Sequence, residues 1–418
     1  MLNRRDFLRL GSLAVAGLPT LRASSPGHQH KSVIMVYLSG GLAHQDTVDL
    51  KPLAPSESRG EFKPIPTNVP GIQVGELLPK LAKCADKYTI IRSLVGQVDE
   101  HSSNQSCAGF NGSQIQRENR PHFGSVVARI QGPTSPIIPA FVDLFPTMQH
   151  KPYNSPGPGL LGRSSRGVRV DGQDLAIMKS DEDLTDRKKL LTRLDTMKRQ
   201  GDSVGTMEGN YGRAFDVLTS SKLVEALDVS REPASLRDRY GRGSTKHLGD
   251  GAPMWNDQLL MARRLVEAGA RVVTVAYGFW DTHGQNFKYL RNHLPLFDHG
   301  ISALVEDIYA RGMDRDTTVV VWGEFGRTPK INKDAGRDHW ARVNSAIIAG
   351  GGMRVGQVIG STDAQAGEAR NEPIHYRDVL ATVYHNLGID PHSMVMDVSN
   401  RPNPILPAEC RPIAKLIG

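Results

Sequence analysis

RVVTVAYGFWDTHGQNF, residues 271–287, opens as an uninterrupted apolar run and closes on an acid, a hydroxyl and an imidazole in consecutive positions. An apolar run without alternation reads as a strand buried on both faces, and such strands belong to largely parallel sheets covered by helices. In those sheets functional groups collect beyond the carboxyl ends of the strands. Packing does not call for Asp281, Thr282 and His283 at that place, whereas a metal site does. Asp281 and His283 stand at i and i+2, so in extended backbone they share a face and reach one cation. A histidine held by a neighbouring acid is the plainer alternative.

Similar runs recur along the chain. The pattern predicts strands over 33–38, 88–92, 139–143, 271–277, 317–322 and 344–349, and helices over 182–200, 209–228, 253–268, 294–311 and 376–387. The last helix stops at Leu387-Gly388, a normal carboxyl-terminal signal. Alternation of strands and helices predicts an α/β fold with a central, mostly parallel sheet sandwiched by helices. One domain over 31–418 is expected, with a helical and loop insertion or cap over roughly 145–250. The first part of that insertion, FPTMQHKPYNSPGPGLLGRSSRGVRVDG, is rich in Pro, Gly, Ser and Arg and reads as a long loop excursion.

Length and composition agree with a globular chain: 418 residues, 39% hydrophobic and 23% charged, with 42 Gly and 26 Pro for turns. The amino terminus, MLNRRDFLRLGSLAVAGLPTLRAS, pairs Arg4 and Arg5 ahead of a short apolar run and small residues at Ala23 and Ser24. Residues 1–24 read as a twin-arginine export signal, and the mature protein is expected to be periplasmic or otherwise extracytoplasmic. No later apolar run has membrane length. The formal charge is +7, part of it from the arginines of the signal. No basic stripe interleaved with aromatics appears, which argues against a nucleic-acid partner. Cys84, Cys107 and Cys410 lack metal-ligand spacing. In an exported protein one disulfide and one free thiol, or three buried thiols, are both admissible.

Four clusters fall at predicted strand ends. His44 and Asp46, with Asp49, follow the first strand after Gly40-Gly41, as ligands or as turn caps. Asp281 and His283 form the second. Glu324 ends the strand at 317–322 and is followed by Arg327, read as a ligand with an oxyanion-binding guanidinium or as an ion pair that locks the loop. Arg337, Asp338 and His339 form the fourth, with His339 a ligand and Asp338 its hydrogen-bonded support, or all three a surface loop. A further stretch, RSLVGQVDEHSSNQSCAGFNG, offers Ser102 or Ser103 as an activated hydroxyl and His101 as its base, or an N-cap serine and a loop histidine. Acids and imidazoles from several strand ends suit one or two divalent ions: zinc, manganese, calcium or iron. GPGLLG at 157–162 has no strand before it and carries Pro158, so dinucleotide binding is dismissed.

Taken in order, the paired-arginine signal, LSGGLAHQDTVDLKP, PGPGLLG, WDTHGQNF, WGEFGRTPKIN, GRDHW, GGGMRVGQVIGSTD and HYRDVLATVYHNLGID resemble the exported domain-of-unknown-function family 1501 (DUF1501), placed in the alkaline-phosphatase-like, sulfatase-like superfamily. The resemblance covers nearly all of the mature chain. It implies a mostly parallel sheet between helices, two divalent metals, and cleavage of phosphate or sulfate esters. It casts Asp281, His283 and His339 as metal ligands, and Glu324 stands where an Asp-His pair usually follows a strand. Two departures matter. Ser39 or Gly40 occupies the place of the acid that normally follows the first strand, for which His44 or Asp46 would substitute. The C/S-x-P-x-R signature of sulfatases is missing. The expectation is an exported metal-dependent hydrolase of an anionic small-molecule or polymer ester, with Arg327 or Arg337 steadying the anion. The alternative is a non-catalytic extracytoplasmic binding or scaffold protein on a degenerate hydrolase fold.

Overall fold

The computed structural model describes residues 30–170 and 221–417. The predicted export signal, the helix over 182–200 and most of that over 209–228 lie outside them.

Among the described residues nine strands make one sheet: β1 (Ser32–Ser39), β2 (Tyr88–Val95), β3 (Phe141–Asp143), β4 (Val168–Arg169), β5 (Val272–Phe279), β6 (Thr317–Gly323), β7 (Asn344–Gly350), β8 (Gln357–Ile359) and β9 (Ile374–His375). The spatial order is β8-β2-β7-β6-β1-β5-β3-β4, with β9 also on β2. All pairings are parallel except those of β7, which runs against both β2 and β6. The mostly parallel α/β sandwich inferred from the apolar runs is the fold observed.

Every residue of β1 is buried, and its side chains divide between two cores. Ile34, Val36 and Leu38 enter the core formed with α2 (Asn256–Ala268) and α3 (Asn286–Ala310). Val33 and Met35 enter the opposite one, formed with α1 (Phe123–Gln131) and α4 (Tyr376–Asn386). Alternation of side chains across a strand requires this division. Each such side chain contributes about 1.5–3 kcal/mol through burial.

Three differences from the sequence reading have physical causes. α3 begins at Asn286, eight residues before the predicted start, and runs through Pro295. A proline reads as a first-turn signal, and here packing carries the helix past it. The excursion after residue 145 consists of short turns up to a two-residue edge strand, β4, too brief to show periodicity. The described end of the predicted cap, with helices at Ser221–Leu227 and Ala234–Tyr240, packs on the core shared by α2 and α3. Arg263 is fully buried there between Glu232 at 2.6 Å and Asp307 at 2.8 Å.

Cys84, Cys107 and Cys410 are free and buried, each in a different hydrophobic cluster, so none pairs with another. Among the described residues no helix is long and apolar enough to cross a membrane.

Candidate metal centre

Three neighbouring strands, β5, β1 and β6, bring their carboxyl ends together. β5 ends at Phe279, and the amide of Trp280 donates to the Ser39 carbonyl at 2.8 Å, joining this end to that of β1. The chain of β1 then turns at Gly40 and Gly41, both with positive φ. A Cβ on Gly40 would lie 2.5 Å from the Asp281 amide nitrogen, so only glycine lets the β1 turn approach Asp281 this closely. After β6, the connection to β7 forms a small antiparallel ladder, Gly326–Arg327 against His339–Trp340. That ladder carries His339 back over the strand ends.

These turns, with the loop after β2 that carries His101, gather His101, Asp281, His283 and His339, each offering one ligand atom within 4.8 Å of the others. Asp281 is central. Its Oδ1 lies 3.0 Å from His283 Nε2 and 3.2 Å from His339 Nε2, and its Oδ2 lies 3.2 Å from His101 Nε2. His283 Nε2 and His339 Nε2 are 2.9 Å apart. Each imidazole is held from behind through Nδ1: His101 by Glu324 at 2.7 Å, His283 by Asp338 at 2.7 Å and His339 by Asp99 at 2.8 Å.

Glu324 is fully buried and receives hydrogen bonds from the Tyr37 hydroxyl, the Gly40 amide and His101. Burial raises its pKa, and the bonds from His101 and Tyr37 oppose that rise. For His101, burial lowers the pKa, but Asp281 and Glu324 outweigh it and hold the imidazole up at about 9. For Asp281, burial acts upward, yet His101, His339 and Arg327 keep the carboxyl well below the usual range. Asp338 is also lowered, chiefly by its bond from His283.

The donor set fits a divalent ion. Three carboxylates lie against Nδ1, and a neutral ring that donates there presents a lone pair at Nε2. The Nε2 atoms of His283 and His339 lie 2.9 Å apart beside the Asp281 carboxylate. A shared cation satisfies all of them at once. His283 keeps 45% of its side chain exposed, so the cluster opens to solvent on that side.

The other residues singled out in the sequence sit elsewhere. Glu324 stands behind His101 and is absent from the converging set. His44 is buried with Nε2 against the Ala366 carbonyl at 2.9 Å, and its Nδ1 has no hydrogen-bond partner. Asp46 is taken up by Arg337, at 2.7 and 2.9 Å, and by Asn286 at 2.8 Å. Both guanidiniums are fully buried. Arg327 donates to the carbonyls of Gly40, Gly41 and Arg337 and to Asp281, and Arg337 donates to Asp46 and three loop carbonyls. They brace loops, and neither faces an incoming anion. Ser102 is buried and donates to Glu100 at 2.7 Å, while Ser103 donates to the Asn154 carbonyl. His101 contacts neither hydroxyl and joins the cluster instead.

Asp338, just ahead of the ladder, supports His283 and not its neighbour His339. Asp99, which does support His339, was not singled out in the sequence. Its signal was available: Asp99-Glu100-His101 repeats the D-x-H spacing of Asp281-Thr282-His283.

Residues 30–417 match the family model described as "Protein of unknown function (DUF1501)". No curated protein matches the chain. Among solved structures, the PsFucS1 sulfatase from Pseudoalteromonas sp. is similar at 12% identity, over 86% of this chain and 68% of that one, with a TM-score of 0.40. Ps i-CgsB in complex with k-i-k-neocarrahexaose is similar at 11% identity, over 87% and 73%, with a TM-score of 0.38. The phosphonate monoester hydrolase SpPMH from Silicibacter pomeroyi is similar at 11% identity, over 92% and 76%, with a TM-score of 0.34. At such scores the chemistry has to be read from this chain's own residues.

Proposed function

The chain belongs to the DUF1501 family, whose model it matches over nearly its whole length, and from the cluster at its strand ends we propose that it is an exported, metal-dependent hydrolase of phosphate or related esters. The observation that carries this reading is the convergence of His101, His283 and His339 through Nε2 on Asp281, with an acid behind each ring. Those four side chains would hold the metal. A divalent ion bound there supplies Lewis-acid polarisation of a phosphoryl or similar oxygen.

The chain's own groups do the rest. Arg327 ties Asp281 to the Gly40-Gly41 turn, so the central carboxylate is fixed before substrate arrives. Glu324, Tyr37 and Tyr153 hold His101 from the buried side. The exposed edge of His283 leaves one face open, where an ester oxygen approaches. Export rests on the Arg4-Arg5 signal, and exchanging both for lysine is expected to stop translocation to the periplasm.

The deciding experiment is metal analysis of the protein made through its own export route, with chromogenic phosphate, phosphonate and sulfate monoesters as substrates. Bound metal and turnover, both lost in Asp281→Ala/His283→Ala, are expected. Absence of metal from the wild type even after incubation with divalent ions would overturn the reading. A second reading, a non-catalytic metal-binding protein on the same fold, is favoured by one observation: Ser102, Arg327 and Arg337 are all committed to internal partners. Metal retention without turnover of any ester would select it.

A further inference from the structure

Three features compete for notice outside the converging atoms: the buried Asp46–Arg337 pair, the Arg263 ion-pair network, and the carboxylates behind the imidazoles. The first two are ion pairs closed within the fold. The third has a consequence for which metal binds and how tightly.

Asp99 and Asp338 lie on the surface, with 59% and 52% of their side chains exposed, yet each spends its carboxylate on one imidazole. Exposed acids ordinarily stay solvated, since pairing them gains little. Here both contacts are short, and they share one geometry with the buried Glu324–His101 pair. The Tyr37 hydroxyl and the Gly40 amide donate to Glu324, and His101 Nδ1 lies 2.7 Å from it. Asn332 adds a further link, donating to Asp338 at 3.1 Å and to the His283 carbonyl at 2.8 Å. An imidazole that gives its Nδ1 proton to a carboxylate is fixed as the tautomer whose Nε2 is a lone pair, and its ring cannot turn away.

We propose that Asp99, Asp338 and Glu324 are positioning residues that lock His101, His283 and His339 as Nε2 ligands, and that the locked site selects a nitrogen-preferring divalent transition ion over calcium or magnesium. This rests on the metal-site reading above and deepens it. Calcium takes six to eight oxygen ligands and magnesium an octahedral set of oxygens, whereas this site offers three ring nitrogens and one carboxylate. Asp99 reaches His339 across 240 residues of sequence, so the device belongs to the assembled fold and not to any one loop.

The test uses the full chain stripped with chelator and titrated with Co2+, followed by visible d–d absorption, with circular dichroism to monitor folding. Wild-type protein is expected to give the intense spectrum of low-coordinate cobalt and to keep it under a large excess of Ca2+ or Mg2+. Asp99→Asn and Asp338→Asn are expected to weaken Co2+ binding by about 10–100-fold each and to alter the spectrum, with folding unchanged. Asp338→Glu is expected to recover part of the loss. Both substituted sites are exposed, so failure to fold is not anticipated, and the spectrum reports the ligand field independently of activity. Unchanged affinity and spectrum in both variants would overturn the positioning role while leaving the metal site intact. Displacement of Co2+ by Ca2+ would overturn the selectivity. Failure of the wild type itself to take up Co2+ would overturn this inference and the hydrolase reading together.

Discussion

Asp46 and Arg337 form a buried pair in which every charged atom is used. Arg337 closes two bonds onto Asp46, and the remaining donors go to the carbonyls of Thr328, Pro329 and Ser58. Removing one partner strands the other charge. Arg337→Ala is therefore expected to destabilise the fold by about 3–5 kcal/mol, read from the shift in urea midpoint at constant slope. Gly40 works through space and not charge. Its φ of +95° and the 2.9 Å gap between its missing Cβ and Asp281 Cβ leave no room for a methyl group. Gly40→Ala is expected to push Asp281 off the cluster and to lower metal affinity more than it lowers thermal stability. A calorimetric titration beside a thermal melt separates the two effects. At this scale the D-x-H spacing was legible in the sequence for Asp281-His283 and passed unnoticed for Asp99-His101. The partners of Arg327 and Arg337 were not legible, because both reach carbonyls and acids on other loops.

Elements explain where the sequence reading succeeded and where it slipped. β1, β5 and β6 are apolar throughout because both faces are covered, and such runs declare themselves. α3 did not, because Pro295 stands inside it and mimics a start. An interior proline removes one backbone bond and crowds the preceding turn, which costs up to about 3 kcal/mol in an ordinary helix. Part of that cost is offset by the stiffer unfolded chain, worth about 0.4–1 kcal/mol. Pro295 is exposed, so Pro295→Ala is expected to raise the melting temperature without touching the core, a change that differential scanning calorimetry would detect. Asn286, at the first turn of the same helix, binds Thr282 and Asp46 together. The helix start thereby anchors the Asp281–His283 turn to the Asp46–Arg337 pair.

For the whole molecule, the cluster couples stability to pH. In chelator-treated protein His101 is held up at about 9, above its ordinary value, by Asp281 and Glu324. A raised pKa means that the folded state binds the proton more tightly than the unfolded one. The stabilisation is fully present below the unfolded value of about 6.5 and is lost as pH rises through about 9. His101 is partly exposed, and screening brings the contribution to the order of 1 kcal/mol. The metal-free wild type should therefore lose more stability between pH 7 and 10 than His101→Gln does, as followed by thermal melts across that range. A parallel loss in the variant would mean that His101 carries none of the dependence.

The sequence by itself determined the central strands of this protein and its chemical inventory. Runs of apolar residues specify strands buried on two faces, and the acids and imidazoles at their ends are local facts of composition. It also carried the family resemblance that the match over residues 30–417 bears out. Tertiary structure alone decided the assignments. Asp99 supports His339, Asp338 supports His283, Glu324 supports His101, and Asp46 pairs with Arg337 out of the site's reach. The reason is physical: a side chain's partner is set by strand order and by the side of a ladder on which it emerges. Strand order is fixed by pairings as distant as Val33 with Val272 and with Thr318, the ladder side by Arg327 against His339, and no pattern within one run of sequence encodes them.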